Sequence, residues 1–73
     1  MKNFKLFDVV ALTMDLPEEN LWGGQVGTIV EIYKDGEAFE VEFVDKNGET
    51  YGLLTLFSEQ IMQLHYEPVK IAA

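Results

Sequence analysis

One histidine and a few groups of carboxylates are the residues whose types could do chemistry in this chain. His65 is the only side chain that titrates near neutrality. A general base needs a group to orient it and a substrate pocket beside it. The chain has no cysteine, and its few serines and threonines fall in turns or strands. His65 therefore reads as a surface or rim histidine. Glu40 and Glu42 share one face of a strand, and Glu31 sits on the neighbouring strand. Paired carboxylates perform glycosidase-type acid–base work only where they flank a cleft. On the wet face of a small sheet they read instead as solubility or partner electrostatics. Asp45-Lys46-Asn47-Gly48-Glu49 looks like the start of a calcium loop. It lacks the further oxygen ligands and flanking helices that such a loop needs, and a hairpin turn accounts for the same residues.

The segment with the strongest binding signature is Leu21-Trp22-Gly23-Gly24. A Trp between flexible neighbours either closes one end of the fold or stands out as a binding anchor. It ends a long acidic segment containing Asp15, Glu18 and Glu19. Asp15, Glu18, Glu19 and Trp22, with Glu40 and Glu42 from the strand face, are the candidate partner-binding residues.

Charge and composition exclude much else. The chain has 73 residues, 13 acids against 5 bases, and a formal net charge of −8. A domain this short encloses a small core, with little room for an internal catalytic cavity. Without cysteine there is no disulfide framework, thiolate zinc site or thiol nucleophile. All five bases are lysines (2, 5, 34, 46 and 70), scattered rather than clustered, so no arginine fork grips phosphate. Nucleic-acid binding runs on released counterions and needs the opposite charge. No apolar run reaches the length of a bilayer span, and the amino end lacks the pattern of a signal peptide. The expectation is a non-enzymatic cytoplasmic protein with no cofactor, no metal and no membrane contact.

The elements that must position these residues read as short strands. Asp8–Thr13 is a β-branched run, and Met14–Gln25 is a turn-rich loop in which Pro17-Glu18-Glu19 forms one helical turn. Val26–Tyr33 is a second strand. Lys34-Asp35-Gly36-Glu37 then carries an Asp-Gly hairpin signal, read as a type I′ turn. Ala38–Val44 alternates cleanly, with Phe39, Val41 and Phe43 facing in and Glu40 and Glu42 facing out. Thr50–Phe57 is the fourth strand, Ser58-Glu59-Gln60 a helical turn capped by Ser58, and Ile61–Tyr66 a closing strand. This order predicts an all-β, five-stranded SH3-like barrel over 1–66 with a tail over 67–73. Its expected core is Val9, Ala11, Val26, Val30, Phe39, Val41, Phe43, Leu53 and Ile61. Ile29, Val44, Leu54 and Leu56 are expected on the outside, where they would favour a homodimer.

Gly24-Gln25-Val26-Gly27-Thr28-Ile29-Val30-Glu31 resembles the opening of a KOW-type SH3-like barrel. A longer series occurs in order: Asp8–Leu12, Asp15–Glu18, Gly24–Glu31, Phe39–Asp45, then Gly48, Thr50 and Leu54–Leu56. Together they resemble a bacterial family of small proteins classed as a domain of unknown function, number forty-nine twenty-six. The resemblance implies an SH3-like fold and no catalytic residues or cofactor. The function expected is a protein-binding module acting on a basic partner, a role that suits an antitoxin or immunity protein. The alternative is a KOW-like nucleic-acid or ribosome-associated protein.

Overall fold

The structure, a computed structural model, describes residues 3–68. Five strands form one antiparallel sheet: β1 (Val9–Leu12), β2 (Val26–Tyr33), β3 (Ala38–Val44), β4 (Thr50–Phe57) and β5 (Ile61–Gln63). Three single turns of 3-10 helix join them, at Pro17–Glu19, Lys34–Gly36 and Ser58–Gln60. The spatial order is β4-β3-β2-β1-β5, so the last strand returns to pair with the first. Among the described residues no pairing joins β4 to β5, and the sheet is open at both edges. No helix among them is long and apolar enough to cross a membrane.

β3 sets the register because its alternation is unambiguous. Phe39, Val41 and Phe43 are buried, while Glu40 and Glu42 face outward and are half-buried. Across the ladder Phe39 lies opposite Leu56, Val41 opposite Leu54 and Phe43 opposite Gly52. Residues paired across a ladder share a face. Leu56 is accordingly buried and Leu54 packs against the core, while Leu53 is 56% exposed. The expectation for β4 is thus inverted: Leu53 stands outside, and Leu54 and Leu56 turn in.

β2 is inverted by the same logic. Ile29 is fully buried opposite Val41, Val26 is 47% exposed, and Val30 is half-buried. The register slips between Ile29 and Glu31, so Val30 is an extra residue, a β-bulge. The bulge brings both Ile29 and Ile32 to the core side and leaves Glu31 and Tyr33 outside. Gly27 must be glycine here, since a Cβ would lie 2.7 Å from Val41 Cγ1 and 2.9 Å from the Glu42 carbonyl oxygen. On β1, Val10 and Leu12 join the core cluster; Ala11 is buried too, and Val9 is only half-buried. Phe39, Val41, Phe43 and Ile61 lie in the core as expected. The core also takes Leu21, from a segment read as loop.

The connections follow turn chemistry with local changes. The Asp-Gly hairpin forms, but with positive φ at Lys34, Asp35 and Gly36, giving a longer loop than a two-residue type I′ turn. The Ser58 turn forms with Phe57 at the cap position, where the Phe57 N–H donates to Gln60 Oε1 at 2.8 Å. β5 ends at Gln63, short of Tyr66. Of the expected tail, Glu67 and Pro68 are exposed and 69–73 lie outside the described residues.

Candidate functional site

The first loop is folded back on itself and tied down at several points. Leu16 and Leu21 exchange backbone hydrogen bonds: the Leu16 N–H donates to the Leu21 carbonyl at 2.8 Å, and the Leu21 N–H to the Leu16 carbonyl at 3.2 Å. Pro17–Glu19 forms the tip between them. Pro17 suits the first position of the turn because its missing N–H has no helical partner there. Asn20 ends the turn at φ 58. Leu21 is 1% exposed and Leu16 half-buried, so both ends of the tip are anchored to the core. Glu18 and Glu19 are exposed on a backbone that has little freedom.

Asp15 has a second duty. Its Oδ1 accepts the Gly23 N–H at 2.8 Å, while Gln25 Oε1 accepts the Trp22 N–H. The Gly24 N–H donates to the Leu12 carbonyl at 2.8 Å, and Gly24 holds φ +94, a conformation that suits glycine. These bonds fix the turn that carries Trp22, which is 48% exposed. Gln25 Nε2 donates in turn to Tyr51 Oη at 3.2 Å, tying this turn to β4.

Between the first loop and β4 lies a cleft of about 340 Å³, lined by Asp15 to Glu19, Leu54 to Leu56, and Gln60. Leu16, Pro17, Leu54 and Leu56 supply apolar walls. Asp15, Glu18 and Glu19 supply formal charge of one sign, with no base among the lining residues. Such a cleft concentrates negative potential against low-dielectric walls.

The six candidate residues separate into three places. Asp15, Glu18 and Glu19 line the cleft; Trp22 stands on the turn that Asp15 supports; Glu40 and Glu42 lie on the outer face of the sheet. There, Thr55 Oγ1 donates to Glu40 Oε1 at 2.7 Å and Thr50 Oγ1 to Glu42 Oε2 at 2.6 Å. Glu31 sits directly opposite Glu40. Nearby, the Tyr33 phenol is raised above its usual range, first by loss of solvation and then by Glu40 and Glu31, whose charges disfavour the phenolate. Leu54, Thr55, Leu56 and Gln60 are the cleft residues that sequence reasoning did not assign. Leu54 and Leu56 are expected on the outside and instead turn in, so nothing in the sequence marks these four as cleft residues.

Of the remaining chemical candidates, Asp45 has structural employment. Asp45 Oδ1 accepts the N–H groups of Asn47 at 2.8 Å and Glu49 at 3.0 Å, which makes it the cap of a hairpin turn. Among the described residues no group of three or more acids or histidines could hold a metal ion. His65 is exposed beside a broad hollow of about 470 Å³ that also includes Asp8 and Gln63. Asp8 Oδ2 already accepts the Lys5 N–H at 2.9 Å and Gln63 Nε2 at 2.7 Å.

A small all-β domain with an acid-walled cleft beside one open sheet edge is the class this geometry defines. The family described as "Domain of unknown function (DUF4926)" matches residues 6–63, and the chain belongs to that family. Neither a curated protein nor a solved structure matches the chain significantly.

Proposed function

We propose that this chain is a non-enzymatic protein-binding module, an SH3-like barrel in which the cleft beside the first loop receives a basic partner. The observation that carries the reading is the cleft itself, apolar at its walls and acidic through Asp15, Glu18 and Glu19. The order of elements supports the barrel: a long first loop, three hairpin-linked strands, a 3-10 turn, and a last strand returning to the first. The net charge of −8 adds long-range steering toward a cationic surface. An anchored loop also keeps the ordering cost of binding low, because its backbone is fixed beforehand.

Affinity capture from the native host, at low and high salt, tests this reading. The expected result is a basic protein retained at low salt, released at high salt, and lost with the double variant Glu18→Lys/Glu19→Lys. Tight, salt-sensitive retention of RNA or DNA in a filter assay would overturn it in favour of a KOW-like nucleic-acid protein.

A further inference from the structure

We propose that the partner enters as an extended basic segment, pairing with the open edge of β4 as a sixth strand. This rests on the acidic cleft receiving a basic protein, and it adds the mode of recognition and the main-chain atoms that perform it.

The argument starts from one hydrogen bond. β4 ends the sheet and, among the described residues, pairs only with β3. The Phe57 N–H donates to Gln60 Oε1, an acceptor on the turn after the strand, so this amide points away from β3. Along an antiparallel ladder, alternate residues direct their N–H and C=O groups to the same side. The register is regular from Ala38↔Phe57 to Phe43↔Gly52. The main-chain groups of Thr55 and Leu53 therefore face the open edge.

Natural edge strands are guarded by lysine, proline, bulges or covering side chains. β4 contains no lysine and no proline. Its irregularity lies at the Val44 end of the ladder, and Gln60 occupies the amide at the other end. Thr55 and Leu53 are the pair left between these protections. Thr55 lines the acidic cleft, and Leu53 is 56% exposed.

Charge decides the occupant. A second copy of this chain would bring another −8 and a second Glu18 and Glu19 to the same edge. A strand with alternating basic and apolar residues fits both sides of the edge. Its cations enter the cleft toward Asp15, Glu18 and Glu19, with their alkyl stems along Leu16, Pro17 and Leu54. Its apolar side chains lie on the outer face, beside the exposed Leu53. Strand addition takes affinity from main-chain bonds and specificity from alternate side chains.

The test uses the full chain, isotope-labelled, and a short synthetic peptide of alternating lysine and valine. Two further versions carry N-methyl groups at alternate residues, one in each phase. The expected result is that one methylated phase binds like the parent and the other binds roughly tenfold more weakly. The Thr55 and Leu53 amides should shift and become protected from exchange in the complex. If both phases bind equally, or if a block peptide of the same composition binds as well while those amides stay unmoved, strand addition is wrong. The acidic-cleft reading then still stands, provided Glu18→Lys/Glu19→Lys weakens the binding. If no lysine peptide binds at low salt, both fall. Protection of Thr55 and Leu53 that rises with protein concentration, without peptide, identifies a second copy as the occupant and overturns the proposal.

Discussion

On the outer face of the sheet, Glu40 and Glu42 each accept a hydroxyl from a β4 threonine; on the first loop, Glu18 and Glu19 project from a turn whose backbone is fixed around them. The charges are alike and the construction differs. In the sheet the carboxylate itself is engaged, so its removal disturbs the fold. In the loop the scaffold is engaged through Leu16, Leu21 and Asp15, and the carboxylates at the tip are spared that work. Residues relieved of structural duty on a rigid support are the ones that can meet a partner without cost to the domain.

The largest test of this comparison is Leu21→Ala. If the loop is part of the core, deleting a side chain that is 1% exposed should cost about 2–5 kcal/mol, as other buried leucines do. Denaturant unfolding measures it. A loss under about 0.5 kcal/mol, the usual range of a surface substitution, would show the loop to be an appendage and undo the contrast.

A smaller effect separates the two kinds of loop acid. Asp15→Ala removes the acceptor of the Gly23 N–H and should cost about 1 kcal/mol. Glu18→Gln or Glu19→Gln should stay within about 0.5 kcal/mol while weakening capture of the basic partner. A Glu18→Gln variant as destabilised as Asp15→Ala would mean that the tip carboxylates are structural after all.

Some of this contrast is legible in the residues and some is not. The β3 alternation identifies its inner and outer faces unaided, because Phe39, Val41 and Phe43 share one parity and Glu40 and Glu42 the other. Pro17-Glu18-Glu19 announces its turn through proline and acids, so Asp15, Glu18 and Glu19 emerge as candidates directly. β4 reads ambiguously because Leu53, Leu54, Leu56 and Phe57 place apolar groups on both sides, and only pairing with Phe39 and Val41 decides between them. β2 misleads for another reason: the bulge at Val30 changes the parity partway along a strand, and nothing in a run of Val and Ile marks it. Leu54 to Leu56 and Gln60 could not be joined to Asp15 from sequence, since the cleft exists only once β5 returns to β1 and sets the turn before it beside the first loop.

The smallest effect concerns the sheet face alone. Tyr33 titrates above its ordinary value near 10, through loss of solvation first, then Glu40, then Glu31. The folded state thus holds the phenolic proton more tightly than the unfolded chain. The resulting stability is present below the unfolded value and is lost as pH rises through the folded one. Glu40→Gln keeps an oxygen that can accept the Thr55 hydroxyl but removes the charge, so the tyrosinate absorbance of Tyr33 should move to lower pH. Glu31→Gln should move it less, and Glu18→Gln should leave it in place. The chain has three tyrosines, so the comparison is made by difference against Tyr33→Phe in each background. Equal shifts from Glu18→Gln and Glu40→Gln would mean that one general field spans the molecule. Unequal shifts confine the Glu31–Glu40 field to the sheet and leave the loop carboxylates as a separate surface, which is the condition for the cleft to act as a site of its own.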